Sequence, residues 1–93
     1  MAQQLFTDEQ WADYATLFGR NLQRLRNQKG ISQERIAHDA GMSRSQYQRL
    51  ESGANRDGQP SNPGLRNLIS LAEVLDVTLD DLAPRTWPDT RAI

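Results

Sequence analysis

Apolar residues recur at steps of three and four over the first third of the chain. Trp11, Tyr14, Ala15, Phe18, Leu22 and Leu25 make one continuous stripe on a helical wheel. Thr7-Asp8-Glu9-Gln10 has the form of a capping box, in which the Thr7 hydroxyl accepts from the Gln10 amide. Lys29-Gly30 supplies a cation for the last turn and a glycine free to turn left-handed. The pattern predicts one long helix over about 8–28, with Gly19 as its only weak point.

Shorter elements follow. Ser32 caps a helix from Gln33 to about Ala40, with Ile36, Ala37 and Ala40 on one face. Gly41-Met42 is short enough to require a tight turn. Ser43 and Gln46 then form a second capping box, opening a helix that runs to about Ser52 and stops at Gly53. Residues 54–61 (ANRDGQPS) are turn-rich and aperiodic. Asn62-Pro63 offers an N-cap and a first-turn proline, with Gly64 as the alternative cap. Leu65, Leu68, Ile69, Ala72 and Leu75 trace a fourth amphipathic helix. Thr78 and Asp81 cap a last turn ending at Leu82 or Ala83. Pro84 and Pro88 make the tail irregular, with Trp87 its one large apolar group. No stretch alternates as a strand does, so the expectation is an all-α chain of five helices.

Length and composition narrow the class. Ninety-three residues fit a single domain whose modest core needs no staples. The absence of cysteine removes disulfides, thiolate metal sites and thiol catalysis, and the single histidine, His38, leaves no second imidazole for zinc. No cofactor or metal is expected. A mean hydropathy of -0.76, with charges spread along the whole chain, excludes a membrane span. Residues 1–19 hold three acids and no base, unlike the basic start of a secretory signal, so the expected location is cytoplasmic, nucleoid-associated when bound to DNA. The net charge of -1 conceals a division: residues 1–19 carry -3, residues 20–66 carry +5 and residues 67–93 carry -3. A basic centre between acidic ends is suited to phosphate.

The basic centre coincides with two short helices joined by a glycine turn, the form of a helix-turn-helix unit. Gly41 permits the sharp crossing, and Ala37 is small enough for the helices to approach. On a wheel of the Ser43–Ser52 segment, Tyr47 and Leu50 fall on one side, while Arg44, Ser45, Gln48 and Arg49 gather on the other. Arginine can bridge O6 and N7 of guanine, and glutamine N6 and N7 of adenine. Helix starts near Gln33 and Ser43 would present amides to phosphate.

The run ISQERIAHDAGMSRSQYQRLESG resembles the helix-turn-helix core of the phage-repressor and Cro-like (Xre) family of DNA-binding regulators. The likeness extends from about Phe18 to Leu82 and takes in the arginine-rich end of the first helix and the LISLAEVLDVTLDDL run. It implies a five-helix, lambda-repressor-like domain over 18–83, preceded by a helical extension (1–17) and followed by a tail (84–93). It further implies that Gln33 bonds a phosphate and braces the recognition helix. Arg44, Ser45 and Gln48 would face the bases, with Arg49 on the rim and Ser43 and Arg56 also against the DNA. Arg26 and Glu51 would form a buried ion pair between the first and third helices. The 54–61 loop departs from the family in being longer, with Asp57 beside its one base, Arg56.

Other chemistry fits less well. His38 reads as a surface residue. Asp76, Asp80 and Asp81 read as helix-terminal acids placed by the macrodipole. Ser32, Ser43 and Ser45 lack a histidine–acid partner, so an enzyme is not expected. Trp11, Tyr14 and Trp87 either extend the core or belong to a dimer interface. The expected function is sequence-specific binding of double-stranded DNA by a bacterial or phage transcriptional regulator, as a homodimer on a two-fold symmetric site. The competing expectation is a protein-interaction module with a protein partner, such as an antitoxin or an adaptor.

Overall fold

The structure, a computed structural model, describes residues 6–83. They form five helices in the order α1 (Asp8–Lys29), α2 (Gln33–Asp39), α3 (Arg44–Ser52), α4 (Leu65–Leu75) and α5 (Leu79–Leu82). Among the described residues there is no β-strand, only an isolated antiparallel bridge between Ala54 and Pro60. The fold is all-α. Trp87, Pro84 and Pro88 lie outside the described residues.

Local chemistry starts and stops most of these elements. Capping boxes are complete at Thr7/Gln10, Ser43/Gln46 and Thr78/Asp81, and Ser32 caps α2 through the Arg35 amide. Each box satisfies amide donors that the first helical turn cannot bond internally. Gly30 and Gly53 end α1 and α3 in the left-handed conformation, at φ 74° and 81°. The cap of α4 is Gly64, not Asn62. Pro63 precedes the cap, and no side chain bonds the first amides of this helix.

The core is built on α1. Tyr14, Ala15, Phe18 and Leu22 are buried, with Trp11 and Leu25 packed partly against them. Ile36, Ala37, Tyr47, Leu50, Leu71, Ala72, Leu75 and Leu82 close around this stripe from the other four helices. The expected buried stripe of α4 is only half right. Leu71, Ala72 and Leu75 face inward, whereas Leu65 is 65% and Ile69 46% exposed. Seven of the eleven α4 residues are apolar. Such a helix carries more than one apolar stripe, and spacing alone does not select the inward one.

Gly19 is where α1 crosses the end of α3. A Cβ there would lie 2.3 Å from the Glu51 carbonyl oxygen and 2.6 Å from that of Leu50. The sequence pattern marks Gly19 as a weak point of the helix, but packing requires it. The opposing Gly53 is also tightly placed, since a Cβ on it would be 3.0 Å from Thr16 Cα. Asn21 fastens the other side of α1, donating to the Asp81 and Leu82 carbonyls at 3.0 and 2.7 Å and so holding the α5 turn.

Alanine is the better helix former by about 1 kcal/mol. Gly19→Ala is nevertheless expected to destabilise the protein by about 1–3 kcal/mol, because backbone carbonyls must move to admit the methyl. Urea unfolding measures this. A gain in stability would mean that α1 and α3 do not touch at Gly19.

Candidate nucleic-acid interface

Three elements position the recognition helix. In the α2–α3 turn, Gly41 takes φ 74°, its amide donates to the His38 carbonyl at 3.1 Å, and the Met42 amide donates to Ala37 at 2.9 Å. Ala37 is buried at the crossing. Ser43 then caps α3, which drives Tyr47 and Leu50 into the core. The same rotation leaves Arg44, Ser45 and Gln48 exposed and Arg49 half-buried. Arg44 and Ser45 have no intramolecular partner among the described residues.

Behind this face runs a chain of hydrogen bonds joining three helices. Arg26 Nε meets Glu51 Oε2 at 2.6 Å and Arg26 Nη1 donates to the Ile31 carbonyl at 2.9 Å. Gln33 Nε2 donates to Glu51 Oε1 at 3.0 Å, and Gln48 Nε2 donates to Gln33 Oε1 at 3.3 Å. The Arg26 and Glu51 side chains are 12% and 6% exposed. Burial alone would raise the Glu51 pKa. Hydrogen bonds from Arg26 and Gln33, with the Arg26 charge, outweigh burial and hold it below the ordinary carboxylate value. The Tyr47 hydroxyl is pushed strongly upward, first by burial and then by the neighbouring Glu51 carboxylate, so the phenol stays neutral.

The other sequence-identified residues fall into distinct settings. Gln33 is engaged at both ends of its amide, donating one N–H to Glu51 and accepting from Gln48, so its side chain braces the helices while its second N–H takes no part in either bond. The Ser43 hydroxyl oxygen accepts from the Gln46 amide. Arg49 lines a cleft of about 210 Å³ with Asn55, Asn62 and Asn67. Arg56 is exposed in the 54–61 loop, which is closed by the Ala54–Pro60 bridge, by Gly58 N–H to Asn55 (3.0 Å) and by Ser61 N–H to Gly53 (2.9 Å). Sequence reasoning missed the asparagines beside Arg49 and the Gln33–Gln48 link. The only signal for the link was that both residues share the surface between α2 and α3.

Charge is sorted in the same way. Arg26 is neutralised by Glu51, and Arg35 pairs with Asp39 at 2.7 Å on the surface. Arg44, Arg49 and Arg56 pair with no carboxylate among the described residues. His38 is exposed, with Nδ1 3.3 Å from Asp39. Among the described residues no group of three or more potential ligands could hold a metal ion, and no helix is long and apolar enough to cross a membrane.

Comparison with known proteins is consistent with this geometry. A family model described as helix-turn-helix (HTH_3) matches residues 22–82. Two regulators of Bacillus subtilis (strain 168) are similar. The uncharacterized HTH-type transcriptional regulator YqaE is 33% identical over 66 residues, covering 71% of this chain and 52% of its own length. The SPbeta prophage-derived uncharacterized HTH-type transcriptional regulator YonR is 34% identical over 70 residues, covering 75% of this chain and 59% of its own. The chain thus spans a little over half the length of these curated relatives. The crystal structure of the restriction-modification controller protein C.AhdI from Aeromonas hydrophila is similar with a TM-score of 0.64 at 37% identity, over 73% of this chain and 94% of that one.

Removing one partner of a buried pair strands the other charge. Glu51→Ala is therefore expected to cost about 3–5 kcal/mol, measured by urea unfolding. An unchanged midpoint would remove the pair from its structural role. The pH dependence has a definite sign. The folded-state pKa of Glu51 lies below its ordinary 4.5, so the contribution is complete above that value and is lost as pH falls through the native pKa. Stability of the wild type should fall toward that of Glu51→Gln only in that acidic window.

Proposed function

The chain belongs to the helix-turn-helix (Xre) family of regulators, and on that premise we propose that it binds double-stranded DNA sequence-specifically to regulate bacterial or phage transcription. The observation that carries this reading is the outward face of α3. Arg44 and Ser45 project without intramolecular partners, beside exposed Gln48 and half-buried Arg49, from a helix held from behind by Arg26, Glu51 and Gln33. A rigid helix with free donors suits direct readout, because side chains that discriminate bases must not first be pulled off internal partners.

In this reading α3 enters the major groove, with Arg44 and Ser45 at base edges and Arg49 at the rim. Gln48 presents its Oε1 while its Nε2 remains on Gln33. Arg56 and the amides that open α2 and α3 meet phosphates, which supply most of the affinity and its salt dependence. Positioning is the part taken by Gln33. The domain is 18–83, with 1–17 as an extension. A single small domain makes a modest interface, so a homodimer on a two-fold site is proposed, with half-sites about 10–10.5 bp apart.

The exposed stripe of α4 supports such a contact. Leu65 and Ile69 share a face with Arg66 and Glu73, which stand three residues before and four after Ile69. Antiparallel packing of two α4 helices about Ile69 brings Arg66 of each copy against Glu73 of the other, the self-complementarity that an isologous contact requires.

Selection of bound duplexes from a random pool tests the reading. The wild type should enrich a two-fold symmetric site, and Arg44→Ala should relax it at one base position per half-site, at a cost of about 1–3 kcal/mol for the lost contact. Absence of enrichment, or binding indifferent to Arg44, would move the function to a protein partner. For the assembly, Ile69→Asp should sediment as a monomer while retaining the helical spectrum. A dimer that survives the substitution places the contact elsewhere.

A further inference from the structure

A second cleft, of about 240 Å³, lies on the other side of the 54–64 segment, between the start of α1 and α4. Its walls are Trp11, Tyr14, Phe18, Pro63 and Leu68, with Ser61 and Asn62 as its polar residues and no charged side chain among the described residues that line it. The aromatic wall is ordered. Trp11 stacks on Tyr14 at 5.6 Å between ring centroids, and Phe6 lies 6.2 Å from Trp11.

Ser61 is 2% exposed, and its Oγ is buried without a hydrogen-bond partner. Buried hydroxyls normally have a partner, since leaving one unmade costs free energy. An unsatisfied hydroxyl on a residue lining an apolar, aromatic-walled cleft is the pattern of a ligand site: broad apolar contact with one polar group that sets orientation.

We propose that this cleft binds a small, uncharged, aromatic molecule carrying a single hydrogen-bonding group, with its ring between Trp11, Phe18 and Leu68 and its polar group on Ser61 Oγ. The size fits. A dry apolar cavity of about 150 Å³ holds one benzene, so 240 Å³ admits a fused bicycle. That none of the described lining residues is charged selects a neutral molecule. The depth of the hydroxyl selects a penetrating small molecule over a flat protein surface. The cleft shares Ser61, Asn62 and Pro63 with the Arg49 cleft beside α3, and the Ser61 amide donates to the Gly53 carbonyl at 2.9 Å, so an occupant touches the segment that follows the recognition helix.

Amide chemical shifts of the full, isotopically labelled chain test this with two probes of equal shape: indole, which carries an N–H donor, and indene, which carries none. Indole should give saturable shifts confined to Trp11, Phe18, Ser61 and Leu68 and bind about fivefold more tightly than indene. Ser61→Ala should lower indole affinity to that of indene and leave indene unchanged. Leu68→Trp, which fills the cleft, should abolish both, with the remaining spectrum intact. No saturable shift, equal affinity for the two probes, or indifference to Ser61→Ala would overturn the proposal. Binding that appears only in Trp87→Ala would also overturn it, by making the chain's own tail the occupant.

Discussion

The buried Arg26–Glu51 pair is the constraint on which the geometry of the outward face of α3 depends. Arg26 reaches it from the last turns of α1, and Glu51 from the last turn of α3. Gln33 joins from the first residue of α2, so one carboxylate collects donors from two other helices. Two charges out of water are costly, and their attraction repays that cost only when the remaining donors and acceptors are also satisfied. Here Ile31 takes the spare Arg26 donor and Gln33 takes the second Glu51 oxygen. The pair therefore contributes angular definition more than net stability. An apolar replacement of both partners could pack as tightly, but would leave the rotation of α3 about its own axis less determined.

A second constraint acts on distance. Gly19 lets α1 approach the backbone carbonyls of α3, and Gly53 lets the end of α3 approach α1 in return. The ion pair and the glycine contact lie on the same two helices about seven residues apart along α1, roughly 10 Å. On α3 both converge on Glu51, whose carboxylate meets Arg26 and whose carbonyl lies over Gly19, so together they fix where the end of α3 sits on α1. Tyr47 and Leu50, fully or nearly buried between them, fill the remaining space.

These devices differ in how openly the sequence displays them. Capping boxes are local, since both partners lie within three residues, and Thr7/Gln10, Ser43/Gln46 and Thr78/Asp81 were legible for that reason. Left-handed glycines after a polar turn were equally legible. The Arg26–Glu51 pair spans 25 residues and came only from family resemblance, because no local rule couples such positions. Gly19 was misjudged because propensity describes a helix in isolation and close approach is tertiary. The inward face of α4 was ambiguous because its apolar residues outnumber those the core can take. The bracing part of Gln33 came from resemblance for a related reason: wheel position places a side chain on a surface but does not say which neighbour its amide meets.

Net charge would have been a poor guide to the interface. Asp8 lies 18 residues before Arg26 on one continuous helix, about 27 Å away, well over twice the screening length of about 8–10 Å at physiological salt. The acids that open α1 therefore subtract from the total charge and contribute little to the field at the far end of that helix. Of the basic centre, Arg26 and Arg35 are already committed to carboxylates, one buried and structural, the other on the surface. Seven bases remain: Arg20, Arg24 and Lys29 on α1, Arg66 on α4, and Arg44, Arg49 and Arg56 on α3 or in the loop that follows it, where a phosphate beside α3 would meet them. A count over the chain gives -1, and a count over that surface is positive. The second count is the one that bears on binding, because only charges within about a screening length of the ligand act on it.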